Sequence, residues 1–174
     1  METITINIKR SDVYEEVAKA TDYTGSKLIY GDENARERIL AADDDLAELG
    51  RFWEESASAV NENFKEMLVS WADKVPNVLV INSTEKEEAK ALSPEKAQEP
   101  GHSMTLEVSK SFDTNLTTSI QSTLRSFFIA SIIGYWFKFA NKGEAKDYFE
   151  QAAELLATAE RMLYSRKKPS IPKD

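Results

Sequence analysis

The chain has no cysteine and only one histidine among its 174 residues. Without cysteine it can form no disulfide, iron–sulfur cluster, thiolate nucleophile or cysteine-ligated zinc site. The single histidine, His102, cannot build a catalytic triad or a multi-histidine metal site without partner motifs. Because it follows Pro100-Gly101 in a polar stretch, we predict that His102 is a solvent-exposed loop residue without chemical function.

Motifs for phosphate loops, dinucleotide folds, zinc proteases and nucleophile elbows are also missing. The acidic run Asp43-Asp44-Asp45 lacks the alternating ligands, glycine and terminal glutamate of a calcium loop, so it predicts a solvated helix start. We therefore expect no catalytic, cofactor-binding or metal-binding residues, no cofactor and no enzymatic activity.

The chain has no long hydrophobic run. Its most apolar stretch, residues 126–137, is uncharged for only 12 residues between Arg125 and Lys138. A helix that crosses a bilayer needs about 20 apolar residues, so this stretch predicts a buried helix and no membrane partner. Residues 1–10 lack the apolar core of a signal peptide, and we expect a protein that is not secreted.

Acidic residues exceed basic ones, with a net charge of −8. Residues 32–66 hold 11 acids against four bases, and this density of negative charge opposes specific binding of nucleic acid. The opposite sign appears only at residues 166–174, where Arg166, Lys167, Lys168 and Lys173 outnumber Asp174 by a net +3.

Alternation of apolar and polar side chains predicts a small antiparallel sheet. Residues 2–9 and 103–112 alternate as half-buried strands do, and the run 77–82 is predicted to be a third strand. Residues 83–102 between the last two are charged and contain Pro94 and Pro100, which predicts a long loop. We expect this loop to be ordered only by contact with a neighbouring subunit or layer.

Helical spacing covers most of the remaining chain. The predicted helices are a short one capped by Ser11 and ended by Gly25, one long or two serial helices over 33–72 with a break near Asp43–Asp45, one from Asp113 or Asn115 to about Ala140, and one from Glu144 to about Ser165. A tight turn at Asn141-Lys142-Gly143 makes the last two an antiparallel pair. The predicted fold is one mainly α domain over 1–174 with a small β element (α+β).

Several short motifs carry a resemblance to a known family. They are Asp12–Lys19, Tyr23–Lys27, Leu49–Trp53, Phe112-Asp113, Asn115, Gly134–Lys138, Asn141-Lys142, Ala145–Tyr148 and Arg161–Pro169. In these the chain resembles virion structural proteins from tailed phages of gut Bacteroidales, the crAss-like phages among them. The resemblance covers most of the chain and thins through residues 85–101.

The resemblance implies a homo-oligomeric ring protein, commonly a dodecamer, at the portal vertex, the head–tail connector or the tail. Its partners would be further copies of itself and the portal or neighbouring ring proteins, and DNA would pass through the ring. Its location would be the virion, assembled in the host cytoplasm. The alternatives are another tail-completion or adaptor protein, and a cytosolic helical scaffolding module.

The basic tail, residues 166–174, is the predicted interface. Pro169 and Pro172 stop the preceding helix and favour an extended chain, which loses little entropy on docking. We therefore expect protein contacts through Arg166, Lys167, Lys168, Pro169 and Ile171, made to another subunit or to the portal.

Overall fold

The computed structural model describes residues 1–27, 41, 45–77, 98–139 and 141–167. Within this part the chain forms four α-helices and a three-stranded antiparallel sheet, which confirms a mainly α fold with a small β element. The elements are β1 (Glu2–Lys9), α1 (Arg10–Lys27), α2 (Leu46–Asn63), β2 (Leu68–Pro76), β3 (Gln98–Val108), α3 (Thr117–Phe137) and α4 (Lys142–Leu163), with a 3₁₀ turn at Thr114–Leu116.

The sheet has the order β1-β3-β2, so β3 lies between the other two strands. Strand β1 confirms the predicted alternation, because Ile4, Ile6 and Ile8 are buried. In the antiparallel register with β3, Ile6 lies opposite Met104 and Ile8 opposite His102. One face of the sheet is thereby turned toward the helices and contributes an apolar layer to the core.

Helix α3 is the central element of the core, as its composition predicts. It packs against α4, α2, α1 and β1, so its buried side chains occur on several sides of the helix. They include Ile120, Leu124, Phe127, Phe128, Ile132 and Phe137. The Asp113 side chain accepts a hydrogen bond from the Asn115 backbone N–H at 3.1 Å, and so caps the turn that precedes α3.

Helices α3 and α4 pack side by side as the predicted antiparallel pair. Alanines at a seven-residue spacing, Ala145, Ala152 and Ala159, are buried on α4 and allow close approach. Gly134 of α3 is required by this contact, because a Cβ there would lie 2.9 Å from the Phe149 ring. The predicted turn at 141–143 is wrong for Lys142 and Gly143, because both already belong to α4. Asn141 precedes the helix and caps it, since its side-chain oxygen accepts a hydrogen bond from the Glu144 N–H.

The predicted helix over 33–72 is wrong after Asn63. Helix α2 ends there, and Leu68–Pro76 forms β2, which pairs with β3. The spacing of Phe64, Met67 and Trp71 imitates a helical stripe, but pairing with β3 satisfies the backbone of this segment instead. The stripe also fails at both ends, because Leu46 is 51% exposed and Trp71 is 57% exposed.

Other predicted boundaries shift. Helix α1 continues through Gly25 to Lys27, because glycine inside a helix is tolerated at a cost of about 1 kcal/mol relative to alanine. Asp45 occupies the position before α2 but makes no side-chain capping hydrogen bond there. The predicted loop 83–102 is wrong for 98–102, which belong to β3. The predicted strand segment Val78–Ile81 and the loop residues 83–97 lie outside the described residues.

We predict that replacing Phe128 with alanine lowers the free energy of unfolding by about 3–5 kcal/mol, the usual range for a buried phenylalanine. Phe128 is fully buried and contacts both the Trp53 and the His102 rings. Urea denaturation measures the effect. The matched control is Phe139→Ala at a residue that is 83% exposed, which should change stability by less than about 0.5 kcal/mol. Equal effects of the two changes would contradict this account of the core.

Candidate binding pocket

Strand β3 buries the only histidine. Met104, Leu106 and Val108 face the core, and His102 extends the same two-residue alternation by one step, with 1% of its surface exposed. The prediction of an exposed loop residue is therefore wrong. The signal that could have found it is this alternation, continued backward from Met104.

Gly101 explains why the sequence predicted a loop, not a strand, next to His102. Its dipeptide with Pro100 is typical of a turn, but both residues lie in β3. A Cβ on Gly101 would lie 2.5 Å from the Ile8 carbonyl oxygen and 2.8 Å from Val75 Cγ1. The glycine is needed for close approach of neighbouring strands rather than for a change of chain direction.

Four aromatic rings form a row from the surface into the core. The exposed Trp71 of β2 stacks on His102, with ring centroids 6.1 Å apart and an interplanar angle of 28°. The His102 ring lies 5.7 Å from Phe128, and Phe128 lies 4.5 Å from Trp53 of α2. Since β2, β3, α3 and α2 each supply one ring, this row fixes the position of the sheet against the helices.

A pocket of about 710 Å³ opens beside this row. We call it the tryptophan pocket. Buried Trp53 and His102 line it together with exposed Trp71, and its acidic side chains are Glu54 and Asp73. The remaining lining residues are Arg10, Ala57, Ser58, Asn61, Ala72 and Gly101. A volume of this size accommodates a small molecule or several side chains of a partner protein.

Three buried polar atoms of the pocket residues have no hydrogen-bond partner in the part of the chain that the structure describes. They are His102 Nε2, Arg10 Nε and Asn61 Oδ1. Leaving such an atom unsatisfied costs about 1–3 kcal/mol. The Arg10 guanidinium also lies over the Trp53 ring, with Cζ 5.1 Å from the centroid. The lining thus contains both donors and acceptors without partners in the described chain, each of them buried beneath the pocket surface.

Burial controls the charge state of the pocket. Desolvation lowers the pKa of His102 from 6.5 to about 4, so the imidazole is neutral at pH 7. Burial also raises the pKa of the Tyr14 hydroxyl, although the nearby Arg10 cation opposes that shift. The charged groups that line the pocket are therefore Arg10, Glu54 and Asp73, a set with a net charge of −1. This chemistry suits recognition of a ligand by stacking, hydrogen bonds and attraction to acids.

The predicted interface residues lie elsewhere. Arg166 forms an isolated β-bridge with Phe112, and the Lys167 N–H donates to the Ser111 carbonyl at 2.8 Å. The side chains of Arg166 and Lys167 are exposed. Lys168, Pro169 and Ile171 lie outside the described residues. The structure thus places the start of the tail beside the chain that leads into α3, not in the tryptophan pocket.

A second exposed surface surrounds Phe139, just past the end of α3. We call it the Phe139 patch, and it consists of Lys138, Phe139, Lys142, Ala145, Lys146, Phe149, Glu150 and Ala153. Phe139 is 83% exposed, and Lys138 Nζ lies 5.9 Å from its ring centroid. Glu150 pairs with Lys146 at 3.6 Å, so two of the three lysines remain in excess of acid. The patch is apolar with a basic border.

Within the described residues, no cluster of three or more histidine, aspartate or glutamate side chains is arranged to hold a metal ion. None of the described helices combines the length and apolar character needed to span a bilayer. Comparison with protein families, curated proteins and solved structures finds no match to this chain.

We predict that His102 makes stability depend on pH between about 4 and 6.5. In that range the unfolded chain binds a proton at His102 that the native chain does not, so stability falls as pH decreases from about 6.5 to about 4. The loss should approach about 3 kcal/mol at the acid end, from 1.36 kcal/mol per pKa unit.

Urea denaturation of the wild type and of His102→Phe across this range measures the effect. Both proteins contain the same carboxyl groups, so the difference between their unfolding free energies isolates the histidine. That difference should change with pH and become constant above about pH 7. Parallel curves for the two proteins would show that His102 is accessible to protons in the native state.

Proposed function

We propose that this chain is a structural subunit of a tailed-phage virion that assembles into a closed ring at the portal vertex, the head–tail connector or the tail. The observation that carries the proposal is the presence of two exposed apolar surfaces of different chemistry on one chain. One is on β2 and the other is the Phe139 patch. A ring requires contacts of this kind, because each subunit joins one of its surfaces to a different surface of the next copy.

The β2 surface supports protein contact in two ways. Val69 and Trp71 are 60% and 57% exposed, and large apolar side chains at such exposure are enriched where a partner binds. Strand β2 is also an outer strand of the sheet formed by the described residues. An outer strand offers backbone N–H and C=O groups to an added chain.

Charge supports a head-to-tail arrangement. The Phe139 patch has a basic border, whereas the exposed acids of α2 are Glu48, Glu54, Glu55 and Glu62. Glu48 pairs with Arg51 and Glu62 with Lys65, so Glu54 and Glu55 are the acids outside these two pairs. Complementary charge on two surfaces of one chain favours contact between unlike faces and disfavours contact of each face with itself. Acids that remain uncovered in a ring would also keep DNA from adhering to the lumen.

The assignment to a virion rests on the sequence motifs. Their resemblance to structural proteins of crAss-like and related phages implies a dodecameric ring, with the portal or an adjacent ring protein as neighbour. An adaptor in another virion layer and a cytosolic scaffolding module are the alternatives, because the same exposed surfaces would serve either.

The proposal is tested by quantitative mass spectrometry of purified virions and by native mass spectrometry of the isolated protein with and without the portal. We expect the chain in virions at a fixed ratio to the portal, and a single closed oligomer either alone or on the portal. Absence from virions would exclude the ring function and leave the scaffolding module. A virion copy number unrelated to the portal symmetry would favour an adaptor.

We further predict that Phe139→Asp reduces ring formation at least tenfold while leaving the subunit folded. The change places an acid where the acidic neighbour is expected, and like charges across an interface are unfavourable. Native mass spectrometry measures the oligomer, and circular dichroism confirms the fold. The control is Tyr23→Ala, at a residue 63% exposed on α1, which should leave assembly unchanged. The proposed interface would be contradicted if Phe139→Asp formed rings as well as Tyr23→Ala does, or if the control alone lost assembly.

A further inference from the structure

We infer that the tryptophan pocket binds the segment Lys168–Lys173 of a second copy of this chain, with its prolines against the exposed indole of Trp71. The inference rests on the proposed assembly of several copies and adds the contact that joins them. The occupant is assigned by the match between the pocket's lining and this segment, and by the distance between the pocket and the segment's own attachment point.

The first match is between prolines and tryptophans. Pro169 and Pro172 are three positions apart in the sequence. A polyproline II helix has three residues per turn, so a segment that docks in this conformation would present both rings on the same side, about 9 Å apart. Such segments dock in grooves lined with aromatic side chains. The pocket provides the exposed face of the Trp71 indole for this contact. Trp53 beside it is buried, with Arg10 over its ring and Phe128 packed against it, so it forms the floor of the pocket and not a second docking face. Prolines bind there at low entropic cost because their φ angle is already fixed.

The second match is of charge and hydrogen bonding. Lys168 and Lys173 flank the two prolines, and the pocket carries the acids Glu54 and Asp73. The backbone between the prolines offers N–H and C=O groups, and proline itself offers a carbonyl without an N–H. These groups can pair with the partnerless His102 Nε2 and Asn61 Oδ1 after a small rearrangement of the lining, because both atoms are buried beneath the pocket surface. The segment thus supplies the positive charge that the pocket's acids attract, and polar groups for the atoms that such a rearrangement would uncover.

Distance opposes docking of both prolines in a chain's own pocket. The Lys167 N–H is bound to Ser111, beyond the end of β3 at Val108, whereas His102 lies near the start of β3. His102 and Val108 are six positions apart along the strand, which is about 20 Å at the usual rise. From Lys167 a fully extended chain reaches Pro169 within about 7 Å and Pro172 within about 18 Å. The pocket that takes both prolines is therefore assigned to another copy.

The test uses a labelled peptide of residues 166–174 and the full-length chain carrying Pro169→Ala and Pro172→Ala, whose pockets are free of wild-type tails. We expect saturable binding that changes tryptophan fluorescence, weakens as salt is added, and weakens at least tenfold when Trp71 is replaced with alanine. A peptide with both prolines replaced should bind at least tenfold more weakly. Tyr23→Ala is the matched control, since it removes an exposed aromatic ring outside both the pocket and the Phe139 patch and should leave binding unchanged.

A second variant guards against indirect effects of Trp71→Ala. Ser58 is an exposed helix residue of the pocket, and Ser58→Lys adds a positive charge there without altering the core. It should also weaken binding at least tenfold. The inference is overturned if the peptide does not bind, or if binding survives both Trp71→Ala and Ser58→Lys. Binding of a small molecule copurified in the pocket, in place of the peptide, would likewise overturn it.

The outcomes separate this inference from the proposed function. If the wild type forms rings and the peptide does not bind, the ring proposal stands and the tail contact is wrong. If the peptide binds and the chain is absent from virions, the contact between copies stands and the virion function is wrong.

Discussion

Contact of one aromatic side chain with three others holds the helices and the sheet together. Phe128 of α3 lies against Trp53 of α2 and His102 of β3, and its neighbour Phe127 packs edge-to-face on it. Helix α3 is apolar on several sides, so each of these sides must be covered by another element. The sheet can cover one side only if β3 brings its inward-facing residues up to Phe128. The burial of His102 is a direct consequence of that requirement.

This requirement also gives the tryptophan pocket its character. An imidazole that is buried against Phe128 and Trp71 has lost its water, and the pocket beside it therefore contains a neutral histidine at pH 7. The aromatic row ends at an exposed tryptophan because β2 is an outer strand of the described sheet and no further described strand covers it. The buried rings of the row are thus covered by other parts of the chain, whereas the Trp71 ring at its surface end is exposed.

The sequence predicted those elements in which the spacing of apolar residues reflects burial alone. Strand β1 alternates because one of its faces is buried, and α3 and α4 repeat at helical spacing because they pack on each other. It failed at β2, where Phe64, Met67 and Trp71 have helical spacing although Trp71 faces solvent. It failed again at His102, because Pro100-Gly101 is typical of turns and the need for a glycine arises from Ile8 and Val75, which are distant in sequence. Neither the pocket nor its partnerless atoms follow from local pattern, since four elements contribute to them.

The core and the exposed surfaces of this molecule consequently depend on different interactions. Apolar burial around α3 stabilises the subunit and is insensitive to ionic strength. The exposed surfaces combine apolar contact with charge, as at the lysines around Phe139 and the acids of the tryptophan pocket, and attraction between exposed charges is screened within about 8 Å at physiological salt. Changes of salt can therefore alter association while the fold remains intact. A chain built in this way can fold before it meets a partner, which is compatible with the proposed assembly of several copies.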